Sequence, residues 1–535
     1  MNAFDNEQNR YGSARPATTR EIAEAGFFRQ TPQSIFIGYI NGRPLWYHGQ
    51  GGLTLTAGAR SGKLAQILGA NYFYGVLSKT TQLILDIRGE AAAISLDQTP
   101  DKKHCLYWNP SAMHGLPQHR INPTANLKIV NPSLVAHAQV FAENTCPRTE
   151  NPQGAYFELR AQSWMTGFCV TLAEKHGEVR LPDLYRVINL IPGGGEEWLN
   201  FAYDMHSSRF DVARNVEEDI AAGRQDSDGG FQGIVGELLK SVSALADPEL
   251  MASVSPPYDF DLAQLCRTDQ YYQFYLMPPA ESVQTWAPII KAFFVGAMIE
   301  KSRRPQAPRQ VWFLDEAGQL GSAPLITKLY TYGAGIGITP FSIFQSDDQK
   351  ANLGPKAKTI LSSSAAVQIY FAAREIVTAT VVSNMLGLQT LSYDEDIKQD
   401  EAGVHRQDMM QALLGGSDPL MMGRRLAHYR MAETHRMKLR RPLRTPDEVL
   451  NAPEDQAFIF TDGVRYPIIA ERRNYYDERM CAGRYHPNPF YPPADKVRVM
   501  TRFGRRWRRV VRAPVPERFA HYPQYADGFW SRIKR

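Results

Sequence analysis

The chain has 535 residues, 43% of them hydrophobic and 21% charged; that balance excludes a disordered or low-complexity protein and leaves core enough for roughly three or four domain equivalents. Five scattered cysteines, none spaced C-x-x-C, exclude a disulfide framework and a zinc site, so a reducing cytoplasm is the expected setting. The net charge of +5 is uneven: twelve Lys/Arg against Glu517 and Asp527 give residues 496–535 a net +10, so the rest carries −5.

Met1 to Arg20 is polar and does not read as a signal peptide. A short helix is expected around Thr19 to Phe28, capped by Thr18 or Thr19. Ser34-Ile-Phe-Ile-Gly-Tyr-Ile and Pro44-Leu-Trp-Tyr-His flank Asn41-Gly42, which predicts a hairpin. Next comes Leu53-Thr-Leu-Thr-Ala57-Gly-Ala-Arg60-Ser-Gly62-Lys63-Leu64, a β-prone run, a small-residue loop and a lysine, followed by the helix-forming Ala65-Gln-Ile-Leu-Gly-Ala. Strand, loop and helix in that order cradle phosphate. Gly58 and Gly62 let consecutive N–H groups point inward, the helix adds its positive end, and Lys63 adds a full charge. The usual spacing would place glycine at Ala57 and a Mg2+-binding hydroxyl at Leu64.

Thr81-Gln-Leu-Ile-Leu-Asp86 reads as a buried parallel strand tipped by an acid, and Asp86-Ile-Arg88-Gly89-Glu90 opens another helix. From about Leu134 to Ala263 the pattern is helical, with helices expected over Tyr156–Lys175, Leu181–Ile191, Glu196–Met205, Phe210–Ile220 and Phe231–Leu250. An all-α block within an α/β pattern reads as an insertion. Strands resume at Tyr272–Met277. No uncharged apolar run approaches the roughly 18–20 residues that span a bilayer. The nearest, Trp286 to Ile299, is interrupted by Lys291 and predicts a buried helix instead. Gln310-Val-Trp-Phe-Leu-Asp315-Glu316 is a strand ending in two acids, Ile338 to Gln345 a strand tipped by an amide, and Ala366 to Phe371 a strand ending near Arg374. Ala457–Thr461 and Tyr466–Ala470 close the sheet around Asp462-Gly463. The fold class is therefore α/β with a mainly parallel twisted sheet. The expected divisions are a lead-in and hairpin over 1–45, a nucleotide-binding domain over 46–140 and 266–478, the all-α insertion over 141–265, and a basic tail over 479–535.

A parallel sheet collects strand ends on one edge, so Lys63, Asp86, Asp315, Glu316 and Gln345 are expected to converge. There Lys63 offsets phosphate charge, Asp315 orients Mg2+ through bound water, Glu316 polarises an attacking water and Gln345 senses the γ-phosphate. Arg374 reads either as a surface arginine or as an arginine finger for a neighbouring subunit's ATP. His104, His114 and His119 form no metal-ligand pattern.

These motifs together resemble the TraG/VirD-type coupling proteins of type IV secretion and conjugation, relatives of the FtsK and HerA translocases. Tyr11-Gly-Ser-Ala-Arg is similar to the segment that follows that family's membrane helices, and Arg60-Ser61-Gly62-Lys63 to the core of its P-loop. Asp86-Ile-Arg88-Gly89-Glu90, Phe313-Leu-Asp315-Glu316, Gly333-Ala-Gly335-Ile-Gly337-Ile and Gln345-Ser346 follow in the family's order. Thr378-Ala379, Leu386-Gly387, Thr445-Pro-Asp-Glu and Tyr475-Tyr476 continue it. The resemblance implies a RecA-like P-loop ATPase using ATP and Mg2+, usually hexameric. Gly58, Arg60, Ser61, Gly62, Lys63, Leu64 and Asp86 would be at the nucleotide, Asp315 at the metal, and Glu316, Gln345 and Arg374 in catalysis. Its partners would be relaxase-bound DNA or secreted proteins and the secretion channel. The family usually begins with two transmembrane helices, and none is legible here, so a peripheral contact or an anchoring partner is expected at the inner membrane.

Leu64 supports a second reading, a non-hydrolysing adaptor of the same fold; a third is a DNA pump unconnected with secretion. The Arg502-to-Arg512 stretch, with Phe503 and Trp507 among its arginines, reads as a DNA or anionic-membrane contact or as a solvated end.

Overall fold

Asn41 and Gly42 take φ of 48° and 72°, the left-handed pair that suits the twist of a two-residue hairpin. Strands β1 (Ile35–Ile40) and β2 (Arg43–Tyr47) accordingly pair antiparallel, with Ile40 opposite Arg43. The computed structural model describes residues 9, 11–95, 103–146, 152–225, 229–394, 396–416, 418, 424 and 436–534. They form two units, one of Met1–Ala17, Ala372–Pro453 and Arg465–Ile468, the other of Thr18–Phe371, Glu454–Val464 and Ile469–Arg535.

The larger unit is built on β1, β2, β3 (Leu53–Thr56), β4 (Thr81–Leu85), β5 (His104–Trp108), β6 (Tyr272–Leu276), β7 (Gln310–Leu314), β8 (Ile338–Phe344) and β9 (Val367–Phe371). With β10 (Leu388–Asp394) and β11 (Arg436–Pro442) elsewhere, β12 (Gln456–Thr461) and β13 (Val464–Glu471) complete its sheet. Among the described residues the order is β2-β1-β13-β12-β9-β3-β8-β7-β4-β6-β5. From β9 to β5 all neighbours are parallel, and β12 turns antiparallel against β9. Every residue of β3, β4, β6, β7, β8 and β9 is buried. That is why these strands read as continuous apolar runs rather than alternating ones: helices cover both faces of a parallel sheet. The order also makes β3, β8, β7 and β4 consecutive, so their carboxyl ends share one edge.

The helix Val283–Ser302 is buried on nearly every side. Phe293 packs on Trp108 (4.9 Å between centroids) and Phe294 on Trp312 (5.3 Å), and each such ring contributes roughly 1.5–3 kcal/mol by burial. Lys291 is tolerated there because its Nζ donates to the Ser322 carbonyl at 3.0 Å; burial lowers its pKa to about 8. No helix among the described residues is long and apolar enough to cross a membrane.

Between β5 and β6 lie the helices Leu134–Thr145, Pro152–His176, Leu181–Leu190, Glu196–His206, Asp211–Gly223, Gly230–Val242 and Pro248–Ser253. The single helix expected over Phe231–Leu250 is broken. It ends at Val242, and Asp247 caps a new helix through the N–H groups of Glu249 and Leu250. Pro248, which has no N–H to give a continuing helix, suits the first position of the new one. The helix at Thr19 is also shorter than expected: Thr18 and Glu21 form a capping box, and it ends at Glu24 before Gly26 at φ 80°.

The basic C-terminal segment is folded. β14 (Lys496–Thr501), β15 (Gly504–Pro514) and β16 (Phe529–Ile533) form an antiparallel sheet. Gln524, just before β16, accepts from Cys105 N–H at 2.9 Å and donates to the Lys103 carbonyl at 3.0 Å. It thereby satisfies backbone groups of β5, the edge strand of the large sheet.

In the smaller unit β10 and β11 pair antiparallel. Gly12 has φ 148°, and a Cβ there would stand 2.1 Å from the Leu388 carbonyl oxygen, so the Tyr11-Gly12 step requires glycine. Thr445 and Glu448 form the capping box of the helix Pro446–Leu450.

Candidate functional site

β3 ends at Thr56, and Ala57 N–H still bonds the Phe344 carbonyl of β8 at 2.9 Å. The chain then turns through Gly58 to Gly62, with Arg60 and Gly62 at φ 57° and 83°. A Cβ on Gly62 would meet the Gln66 side chain at 3.0 Å, so both backbone and space call for glycine. The helix that follows begins as a wide π turn, Leu64–Leu68, and continues as Gly69–Tyr72. Asn71 fixes it to β1: its Oδ1 accepts from Phe36 N–H at 2.8 Å, and its Nδ2 donates to the Phe36 and Ile67 carbonyls at 3.0 Å.

From the head of this helix Lys63 reaches the end of β7. Its Nζ lies 3.8 Å from Asp315 Oδ1 and 3.5 Å from Glu316 Oε1. Glu316 is held at φ 55° and ψ 44°. A non-glycine residue kept in that region costs on the order of 1–3 kcal/mol, which the surroundings must offset. Glu316 Oε2 accepts from Gln345 Nε2 at 2.6 Å and Gln319 Nε2 at 2.7 Å, so the amide at the end of β8 meets the carboxylate at the end of β7. Gln345 itself is braced from behind. Its N–H bonds Gln349 Oε1 at 2.8 Å, and the fully buried Lys350 pairs with Asp347 at 2.5 Å and donates to Tyr370 Oη at 3.1 Å.

Asp86, at the end of β4, is buried, and its Oδ2 accepts from Ala92 N–H at 2.8 Å. Burial raises its pKa to about 7 despite the N–H groups of Ala92 and Ala91, with the Asp315 and Glu90 charges adding to the rise. Asp315 is raised in the same direction, first by desolvation, against the pull of Lys63. Asp86, Asp315, Glu316 and Leu64 line one small pocket. With Glu90 it gathers four carboxylates against the Arg88 guanidinium and the reaching Lys63 ammonium, an acidic surplus that a cation would relieve. Lys63 Nζ, Asp315 Oδ1, Ser61 Oγ and Gln66 Oε1 are all shielded from solvent without a hydrogen-bond partner. Each group so left costs about 1–3 kcal/mol, and together they are the donors and acceptors that a polyphosphate with a divalent cation would engage. Among the described residues no cluster of three or more His, Cys, Asp or Glu is set to hold a metal alone. A hard cation here would therefore lean on one or two carboxylates and on phosphate oxygens, as Mg2+ commonly does. Leu64 puts hydrocarbon where a hydroxyl ligand is usual.

Lys63, Asp315, Glu316 and Gln345 thus meet, and Asp86 shares their pocket; Gly58, Ser61 and Gly62 form the loop, on which Arg60 is exposed. Arg374 is an exposed residue of the smaller unit, just past β9. One residue was not foreseen. Arg472, at the end of β13 and 7% exposed, donates from Nη1 to the Ser61 carbonyl at 3.3 Å and stacks 4.1 Å over Phe371. It puts a guanidinium directly behind the glycine loop. In the sequence it is one of two adjacent arginines after a strand, and nothing local distinguishes it from Arg473.

A parallel sheet with a glycine loop and lysine after one strand, acids at the tip of a second and an amide at the tip of a third is the P-loop NTPase layout. The family model for conjugative DNA transfer by the type IV secretory system matches residues 11–413, and the chain belongs to that family. It is the family that the motifs resembled. No curated protein matches the sequence. Among solved structures, the chain is similar to the bacterial conjugative coupling protein TrwBdeltaN70 in its unbound monoclinic form, with TM-score 0.60, 15% identity, and 86% of this chain and 92% of that one covered. It is likewise similar to the plasmid coupling protein TrwB in complex with ADP and Mg2+, with TM-score 0.58, 15% identity, and 86% and 94% covered. For TrwB with the ATP analogue ADPNP the values are TM-score 0.58, 14% identity, and 86% and 93% covered. These likenesses give the fold, which is RecA-like.

Proposed function

We propose that this chain is an ATP-hydrolysing coupling protein that recruits DNA or protein substrates and drives them into a type IV secretion or conjugation channel. The observation that carries the reading is the meeting of Lys63, Asp315, Glu316 and Gln345, at 2.6–3.8 Å, from three separate strand ends. The structures of TrwB with ADP and Mg2+ and with ADPNP support the choice of ligand, and the unsatisfied buried atoms around the loop suit it. When bound, Mg2+–ATP supplies the phosphoanhydride bond to be broken. The loop N–H groups from Gly58 to Lys63 and the Lys63 ammonium bind the phosphates, with Arg60 and Ser61 in the loop and Leu64 and Asp86 alongside. Asp315 would hold the metal, Glu316 would orient the attacking water and take its proton at a carboxylate oxygen, and Gln345 keeps Glu316 aimed. Arg374 completes a neighbouring subunit's site in a ring, most simply a hexamer. The work is done on the cytoplasmic side, with a peripheral contact or an anchoring partner at the membrane.

Purified protein given ATP, Mg2+ and DNA should release phosphate, and Lys63→Ala or Glu316→Gln should abolish it. Equal background rates for wild type and both variants would remove the enzyme reading. Leu64 favours the alternative of a non-hydrolysing adaptor, because its side chain lines the pocket beside Asp315. Leu64→Thr separates the two: a large gain in turnover marks a site disabled at that position.

A further inference from the structure

The C-terminal sheet plays no part in the site above, yet its two faces differ sharply. Cross-strand partners share a face. Val497 and Val499 of β14, opposite Arg508 and Arg506, lie on the same face as the Val510–Ile533 pair, and Val497, Val499 and Ile533 are buried. The other face pairs Arg498 with Trp507, Lys496 with Arg509 and Arg532 with Val511. Trp507 is 54% exposed there, with Arg505 and Arg509 two residues to either side, a spacing of about 6.6–6.8 Å along a strand. Of these arginines Arg505 pairs with Asp477 at 2.8 Å, whereas among the described residues no carboxylate pairs with Arg498, Arg509 or Arg532. The Lys496 ammonium lies 5.3 Å from the Trp507 ring centroid, a flexible cation on the face that a stacking ring would take.

We propose that this outward face binds single-stranded nucleic acid, with phosphates on Arg498, Arg505 and Arg509 and a base stacked on Trp507. Cation, aromatic, cation at successive same-face positions matches the alternation of phosphate and base in an unpaired strand. A lipid surface fits less well. Trp507 is mid-strand among arginines, and Phe503 at the hairpin tip, 79% exposed, is flanked by Arg502 and Arg506, so charge interrupts the apolar surface that a bilayer would take up. The surface lies outside the residues matched to the family, 11–413, and the proposal does not depend on ATP hydrolysis.

The test is fluorescence anisotropy of a labelled oligo-dT with the full-length chain, without nucleotide, at low and at physiological salt. Arg498→Glu/Arg509→Glu should weaken binding at least about tenfold at low salt and flatten its salt dependence. Trp507→Ala should weaken it about fivefold or more. If the charge-reversed pair lowers the melting temperature, Arg498→Gln/Arg509→Gln takes its place. Binding within twofold of wild type for both the arginine and tryptophan variants overturns the proposal. So does a loss confined to phosphatidylserine vesicles, or an equal loss on duplex DNA with Trp507→Ala neutral.

Discussion

Replacing Asp86 with Asn should stabilise the protein, by an amount that grows as pH rises from about 4 to about 7 and is constant above. The carboxyl titrates at about 7 in the folded chain because burial outweighs its two backbone donors, against about 3.9 in an unfolded peptide. Its folded pKa is raised, so between those values the folded state binds the proton that the unfolded state has released. Stability then falls as pH rises through that window and stays lowered above it. At about 1.4 kcal/mol per tenfold in proton affinity, the penalty at pH 8 reaches roughly 4 kcal/mol as a ceiling. Asparagine keeps an oxygen for Ala92 N–H and carries no charge. Asp86→Asn should therefore match wild type near pH 4, exceed it by a few kcal/mol at pH 8, and show a flatter profile between. Urea unfolding followed by circular dichroism across that range, without nucleotide, measures it. A variant with the wild-type slope, or one less stable than wild type at pH 8, would refute the reasoning. The buried acid would then be compensated by something other than a proton.

Asn71→Ala strips partners from both backbone groups of Phe36 and should cost about 2–4 kcal/mol, read as a lowered urea midpoint at unchanged m-value. Arg472→Met removes the guanidinium behind the Ser61 carbonyl, and titration calorimetry should find nucleotide affinity about tenfold weaker; an unchanged affinity would make Arg472 a packing residue only. Gln345→Ala frees Glu316 from one of its two amide donors. Turnover should fall at least about tenfold while nucleotide binding stays within twofold, a split that a collapsed loop would not produce.

Much of this architecture was legible because burial on both faces leaves a plain mark. Thr81–Asp86 and Gln310–Glu316 are apolar runs that stop at an acid, since the strand ends where the sheet's covered interior ends. Asn41-Gly42 announced its hairpin because few residues accept two successive positive φ values. Other elements were written in weaker signals. His104–Trp108 follows a lysine, and its free edge is satisfied by His119 and by Gln524, the latter more than four hundred residues away. Lys496-Val-Arg-Val alternates as a strand should, but the dense positive charge of 496–535 is equally that of a solvated tail. Pro248 could have announced the broken helix, yet the apolar spacing around it ran on.

Residue type, spacing and period are local properties, and by themselves they determined the strand–loop–helix at Lys63, the acid-tipped strands, the parallel α/β class and the family. Strand order is a property of packing, and only the tertiary structure decided it. It put β3, β8, β7 and β4 in a row, so that Glu316 meets both Lys63 and Gln345, put Arg472 behind the loop, and held Glu316 in a conformation its own sequence disfavours. Those contacts join residues up to 411 positions apart, and their energies come from burial and from partners that no local window contains.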